Sequence, residues 1–590
     1  TTKERKYLGQ VYTPQAIVKH MVTKGISEED ILYNPYFKII DPACGGGYFL
    51  IEAYDRIKEI ISKNYEQIIN NHPNIKDELA KGVHQFILKN NLWGVDIDKF
   101  AVYMTTLSLL IKEPSKTRIP NIFQGDILLE TKTLDCKINS KFQLVIGNPP
   151  YIGHKKIDKE YRKKLQNKYQ DVYSNKSDLS YCFIKKGYDL LENRGRLIYI
   201  TSRYFQESQS AIGLRSFIKD KFNIETIVDF YGSKVFKGAR ISPTIISCKK
   251  EELKQQKIHI YRLKDGVKVN KDNLDINDKT FFNVFTLSQS SLANDGWVLL
   301  ASEEKNLFNK INEKGQYKLI DICVCNQGII TGCDKAFIVD KKTIEKEQLE
   351  QEIIKPWIKN SNIHKYKKDS VSKYILYTDI IKDLSDYPKV ISHISPYKER
   401  LSKRRECIKG VRKWYQLQWG RELKLFEKPK IIFPFKSKNN KFIIDYDKVL
   451  CSADVYILNV KEEYTNIISL EYLLAFLNSS LFEFYFKCVA KKVGEKLYEY
   501  YPNKLMNLKI RIGSDTSEII NRVKSINEYY KKLNNISCNR EEILMKIKRE
   551  ITYINEYFYK LYDIRSEEIV TIENRIFNVK EIGDKEMNKD

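Results

Sequence analysis

Four short segments of this sequence carry side chains whose types and spacing could do chemistry. The first, Asp41-Pro42-Ala43-Cys44-Gly45-Gly46-Gly47, follows the apolar run FKIID, and its three consecutive glycines let the backbone approach a ligand closely before a helix opens. The second is the end of LWGVD, where Asp96 is followed by Ile97; an acid ending a second strand can accept both ribose hydroxyls of an adenosine. The third is Asp126, followed by Ile127 in NIFQGDI, placed where it could meet an adenine amino group. Taken singly, each acid could equally be a helix cap. The fourth segment decides between these readings: FQLVIGN runs into Asn148-Pro149-Pro150-Tyr151, with two prolines fixing the backbone just past a strand.

An exocyclic amino group such as adenine N6 is a poor nucleophile because its lone pair is delocalised into the ring. The amide oxygen of Asn148 and the carbonyl of Pro149, both accepting from the amino hydrogens, would draw that nitrogen toward tetrahedral geometry and aim its lone pair at a methyl group. With a sulfonium leaving group no strong base is required, and catalysis is positioning and electrostatics. Tyr151 adds a ring on which a base flipped out of a duplex can stack.

Strands must deliver these segments to one place. Between about 36 and 262, short β-branched or aromatic runs (FKIID, LWGVD, FQLVIGN, GRLIYIT, NIETIVDF, PTIISCKK) alternate with amphipathic stretches such as YFLIEAYDRIKEII, DKFAVYMTTLSLLI and SYCFIKKGYDLLEN. The alternation predicts an α/β fold with a parallel, Rossmann-like sheet that binds ligands at the carboxyl ends of its strands. It fades in the polar, turn-rich LKDGVKVNKDNLDINDKT. Domains are accordingly expected over 1–265 (catalytic), 266–300 (linker), 301–512 (an α+β recognition domain with strands such as YILYT and KIIFPF) and 513–590 (two long amphipathic helices).

At 590 residues the chain needs more than one core. Its formal charge of +25 points to a polyanionic partner, although a Lys-, Ile-, Asn- and Tyr-rich composition contributes to the excess. Residues 398–421, KERLSKRRECIKGVRKWYQLQWGR, interleave basic and aromatic side chains, and Arg400, Lys403, Arg404, Arg405, Arg412, Lys413, Trp414, Trp419 and Arg421 are the candidate DNA contacts; the bland alternative is a solvated basic face over core tryptophans. No apolar run is long enough to span a membrane, and no signal-peptide core opens the sequence, so a soluble, cytoplasmic, monomeric protein is expected. The 11 cysteines form no C-x-x-C pair; Cys323, Cys325 and Cys333 cluster without a fourth ligand nearby in sequence, and no metal is expected.

With these motifs the sequence resembles the amino-group DNA methyltransferases of the gamma arrangement, in which cofactor motifs and Asn-Pro-Pro-Tyr precede a target-recognition domain. The resemblance implies S-adenosyl-L-methionine as cofactor and double-stranded DNA as substrate. It places Tyr12 and Thr13 of GQVYTP at the cofactor's methionine end, together with Asp41, Ala43, Cys44, Gly45, Asp96, Ile97, Asp126, Ile127 and Pro149 as cofactor contacts. Gly232-Ser233-Lys234-Val235-Phe236 resembles the segment whose Phe holds the target base opposite Tyr151. Beyond 300, QGIITGCDKAFIV, KPWIKNSNIHKY and LLAFLNSSLFEFYF resemble the recognition half of single-chain restriction–modification enzymes, and more specifically an orphan clostridial adenine methyltransferase. Those single-chain enzymes carry a nuclease domain ahead of GQVYTP. Here Glu4-Arg5-Lys6 is only half a nuclease motif, and Glu-Leu-Lys triplets at 252 and 422 are the kind a Lys-rich chain offers by chance, so methylation without cleavage is expected. Rival readings are an RNA or protein-glutamine methyltransferase, which Asn-Pro-Pro-Tyr also serves, and a methylase or specificity component of a larger system. Cytosine C5 chemistry is disfavoured because no Cys directly follows a Pro.

Overall fold

The computed structural model describes residues 12–114, 118–129, 132–138, 140–233, 235–236, 241–251, 257–265, 267, 274–533 and 539–576. Gly9 to Val11 of the first motif, Lys234, and the triplets at 4–6 and 252–254 lie outside them. Contacts divide the chain into two units: residues 1–302 with 493–496, and residues 303–492 with 497–590.

The first unit is built on nine strands: β1 (Ile39–Asp41), β2 (Leu92–Asp96), β3 (Asn121–Gln124), β4 (Phe142–Gly147), β5 (Leu191–Ser202), β6 (Asn223–Asp229), β7 (Pro243–Lys249), β8 (Lys257–Leu263) and β9 (Phe282–Ser288). Their order is β3-β2-β1-β4-β5-β7-β6-β8-β9. The β-branched runs alternate in facing. Ile39, Leu92, Leu144 and Ile198 enter one core, while Ile40, Trp93, Val145 and Leu197 enter another on the opposite face, so β2 is buried on both sides as a central parallel strand must be. Helices Gln15–Gly25, Tyr48–Lys63 and Lys99–Leu110 cover the first face, each supplying an apolar stripe.

The strand order reverses at β1: the chain runs outward to β2 and β3, then returns to place β4 on the other side of β1, which opens a crevice at the carboxyl ends. Register aligns those ends, pairing Asp41 with Gly94, Asp96 with Gln124 and Gly147 with Tyr199.

The sheet differs from the expected all-parallel one. β7 is antiparallel to both β5 and β6, and β9 is antiparallel to β8. Among the described residues no helix separates β6 from β7, and a chain that returns without a crossover enters the sheet reversed. The interval 266–300, expected as a linker, contains β9.

The second unit is α+β. Strands Cys323–Gln327, Val455–Val460, Lys430–Pro434 and Ile443–Asp445 form one antiparallel sheet, and Ile338–Asp340, Lys373–Leu376, Ile354–Ile358 and Leu450–Cys451 form a mixed one in which the last two strands are parallel. The two long amphipathic stretches near the end are helices, Ser517–Lys532 and Arg540–Leu561, packed together and on the apolar helix Leu470–Asn478.

A fully buried ion pair stands in this unit's interior. Lys430, fully buried, donates to Asp445 at 2.6 Å and to the Phe426 carbonyl at 2.8 Å, while Asp445 also accepts from Val449 N and pairs with Lys368. Burial alone would push the Asp445 carboxyl up, but the two ammonium groups hold it below the usual carboxylate range. Asp445 would keep Lys368 if Lys430 were replaced, but Lys430 without Asp445 is a buried charge that has lost its carboxylate, so Asp445→Asn is expected to cost about 3–5 kcal/mol. Urea denaturation monitored for this unit checks it, and an unchanged midpoint contradicts it.

Candidate functional site

The glycine turn after β1 is held from below. Cys44 N donates to Val95 O at 2.9 Å, and Thr105 Oγ1 donates to Gly45 O at 2.7 Å. Gly47 has φ +78° and would drive a Cβ to 2.7 Å from the Thr105 side chain, so only glycine fits there. At Gly45, φ +50°, a Cβ would meet nothing within 4 Å: the upper side of the turn faces open space. Cys44 itself points into the core.

Three carboxylates ring this turn. Asp41 is 1% exposed and accepts from Ala43 N at 3.0 Å; Gly147 packs so tightly on it that a Cβ there would lie 2.5 Å from Asp41 Oδ1. Burial pushes its pKa up to about 8, with the Asp96 charge adding to the shift. Asp96 accepts from Gly45 N at 2.8 Å and Asp98 N at 2.9 Å, and burial raises its pKa as well. Among the described residues neither Asp41 nor Asp96 has an ion-pair partner. Asp126 accepts from Leu128 N at 2.9 Å and from the Tyr161 hydroxyl at 2.8 Å. Ile97, just past Asp96, is 61% exposed, whereas Ile127 is a core residue.

This donor set fits an adenosyl ligand bearing positive charge. Open space lies above a glycine turn, an exposed aliphatic side chain flanks it, and two desolvated carboxylates lack a cation. Among the described residues no group of His, Cys, Asp and Glu is arranged to hold a metal ion, and no helix is long and apolar enough to cross a membrane.

The Asn-Pro-Pro-Tyr segment leaves β4 beside this ring. Asn148 Nδ2 donates to Thr13 Oγ1 at 3.0 Å, which turns the amide oxygen to the other side, where the Tyr151 hydroxyl meets it. That hydroxyl also lies 3.1 Å from the Ile200 carbonyl of β5, and burial holds its pKa well above that of a free phenol, so it is a neutral donor. Thr13, 3% exposed, thus orients the Asn148 amide, while Tyr12 is 51% exposed and packs edge-on against Tyr48 at 4.8 Å. Pro149 is buried and Pro150 half-buried.

Phe236 does stand opposite Tyr151. The ring centroids are 6.0 Å apart and the planes inclined by 40°. A base between two rings needs van der Waals separation on each face, roughly 7 Å in all, so the pair is closed on itself and must part by about 1 Å to admit one.

In the second unit the 398–421 segment divides. Arg404 is a brace, donating to the carbonyls of Leu401, Thr331, Trp414 and Gln416. Arg412 pairs with Asp379 at 2.9 Å, and Arg421 Nε reaches Gly328 O at 3.4 Å. Lys403 pairs with Glu399, and Trp414 is half-buried. Arg400, Lys403, Arg405, Lys413 and Trp419 are exposed and available to a ligand. Composition marked the segment, but it could not separate bracing arginines from exposed ones.

Sequence reasoning missed Tyr161 and Thr105. Neither lies in a motif, and their contacts with Asp126 and Gly45 join residues 35 and 60 positions apart.

Comparison with known proteins agrees with this layout. Residues 90–236, which contain Asp96, Asp126, Asn148 to Tyr151 and Phe236, match the family model of the Eco57I restriction-modification methylases; residues 355–510 match the TaqI-like C-terminal specificity domain. The chain is 23% identical to the type II methyltransferase M.HindII of Haemophilus influenzae over 92% of its own length and 98% of that protein's. It is 24% identical to the type II methyltransferase M.BstVI of Geobacillus stearothermophilus over 74% and 79% of the two chains. Among solved structures, the DNA complex of the type IIL restriction-modification enzyme MmeI superposes with a TM-score of 0.66 at 15% identity, covering 98% of this chain and 80% of that one, a likeness of fold. The chain therefore carries, in this order, a segment similar to the Eco57I restriction-modification methylases and one similar to the TaqI-like C-terminal specificity domain.

Proposed function

We propose that this protein is a site-specific DNA methyltransferase that uses S-adenosyl-L-methionine to methylate the N6 of an adenine flipped from the duplex. The observation that carries the reading is the orientation of Asn148. Its amide nitrogen is anchored on Thr13, so its oxygen faces Tyr151, the position from which an acceptor can take a hydrogen bond from a stacked base's amino group. The target amino group takes the place of the Tyr151 hydroxyl on that oxygen, and the phenol keeps the Ile200 carbonyl as its partner. The Pro149 carbonyl accepts the second amino hydrogen, and the nitrogen lone pair is thereby aimed toward the glycine turn.

When bound, the cofactor supplies a methyl group already activated by its sulfonium. Asp96 would accept the ribose hydroxyls, Asp126 would accept the adenine amino group, and the positive charge would favour the ionised form of the desolvated Asp41. The matches to a restriction-modification methylase and to a specificity domain, together with the exposed basic side chains of residues 398–421, support DNA as the substrate. Asn-Pro-Pro-Tyr alone would equally serve an RNA or protein amide; the specificity segment favours duplex DNA.

Incubation with labelled cofactor and duplex DNA, RNA or protein tests the substrate class, with transfer expected to DNA. Asn148→Ala is expected to lower kcat about 10²–10³-fold, the scale for removing one preorganised hydrogen-bond partner of the reacting group. Its cofactor affinity should stay near wild type, and lost cofactor binding with residual turnover contradicts the assignment. Asp96→Ala is expected to weaken cofactor binding by about 2–4 kcal/mol, measured by calorimetry, because a carboxylate accepting two hydroxyls is lost. Asp41 supplies a pH test. A carboxyl whose folded pKa is raised to about 8 favours the folded state fully below about pH 4, and that stability is lost as pH rises through about 8. Melting of the cofactor-free protein should therefore fall from acidic to mildly alkaline pH more steeply for wild type than for Asp41→Asn, and parallel profiles contradict the buried-acid account.

A further inference from the structure

Arg203, in the turn Arg203–Gln206 after β5, is buried and lies in none of the motifs. Its Nε donates to both oxygens of Asp229, at 2.9 and 3.0 Å, and its Nη1 to Glu207 at 2.5 Å, while its backbone N–H reaches Ser242 O at 2.8 Å. Asp229 is the last residue of β6, and its Oδ1 also accepts from Tyr231 N at 2.8 Å. Tyr231 has φ +44°, a conformation that a bulky side chain adopts only when its surroundings enforce it. The surroundings do so: its ring lies 5.5 Å from the Arg203 guanidinium and 5.7 Å from that of Arg262. Gly232 turns at φ +88°, Ser233 N donates to Phe230 O, and the chain arrives at Phe236, 2% exposed against Tyr151.

Three residues before Arg203, Ile200 holds the Tyr151 hydroxyl. Both rings of the closed pair are thus tied to the end of one strand, Tyr151 through the Ile200 carbonyl and the root of the Phe236 segment through Arg203 and Asp229. An apolar residue could fill the same volume at less desolvation cost; what a guanidinium in a fork of two carboxylates adds is fixed geometry.

We propose that Arg203 is a positioning residue that sets the gap between Tyr151 and Phe236, and with it the placement of the flipped base. The assignment rests on the adenine-methylation reading and names a residue that reading does not use. A displacement of about 1 Å at the reacting group is enough to cost roughly 100-fold in rate.

The test uses the full chain with two variants. Arg203→Met combined with Asp229→Asn removes the buried pair, leaves of the three only Glu207 charged, at the partly exposed edge, and keeps an acceptor for Tyr231 N; Arg203→Lys keeps the charge but loses the fork. Calorimetry gives cofactor affinity, steady-state kinetics on duplex DNA give kcat and KM, and 2-aminopurine fluorescence at the methylated position, once sequencing has located it, reports flipping. The double variant is expected to bind cofactor within about twofold of wild type, keep KM within about threefold, lose roughly 10- to 100-fold in kcat and give a weakened flipping signal. Arg203→Lys is expected to recover part of that loss. Wild-type kcat and flipping in the double variant overturn the assignment, as does a fall in cofactor affinity matching the fall in kcat, which would mark a structural role. If the double variant does not fold, Arg203→Lys decides, and unchanged kcat in it overturns the assignment. A wild-type chain that transfers no methyl to DNA instead defeats the function on which the assignment rests.

Discussion

A carboxylate taken out of water with no cation beside it is unfavourable, and the floor of the crevice between β1 and β4 is made of one. Asp41 is enclosed by Gly147 on one side and the glycine turn on the other, with Asp96 adding like charge. To accommodate it, β4 must end in a residue without a side chain, while the turn beside it is shaped separately by Thr105, which crowds Gly47 and holds the Gly45 carbonyl. In the proposed reaction a cationic cofactor beside Asp41 would favour its charged form, so the burial that costs stability as pH rises toward 8 would contribute affinity for that ligand.

The second constraint is the closed state of the Tyr151–Phe236 pair. The rings are 6.0 Å apart, and the Asn148 oxygen, already accepting from Tyr151, is satisfied within the site. In the proposed reaction a flipped base would have to replace that hydrogen bond and separate the two rings. A base offering an amino group to Asn148 would restore what its entry removes, which would give the site selectivity before any sequence is read.

Much of this was legible in the residues. Short β-branched or aromatic runs placed six of the first seven strands, β3 being the one missed, and the strand-end positions of Asp41, Asp96 and Asn148 followed from them, because a side chain at a strand's carboxyl end is carried to the crevice by the fold itself. The reversal of β7 was not legible, since PTIISCKK looks the same in either direction and only the missing crossover helix decides. Nor were the partners of the site residues. Thr13 was read as a cofactor contact and orients Asn148; Tyr161 and Thr105 belong to no pattern; and Arg404, counted among the basic residues of a DNA-facing stretch, spends its donors on four carbonyls of its own domain. Hydrogen bonds between residues dozens of positions apart leave no trace in spacing, whereas strand ends do.

The central claim is that one atom of one base receives the methyl group. Digestion of duplex DNA modified by the purified protein with isotopically labelled S-adenosyl-L-methionine, followed by mass spectrometry of the nucleosides, tests it most directly. Label is expected in N6-methyladenine alone; label on any other base or atom, or in RNA or protein in place of DNA, overturns the proposed function.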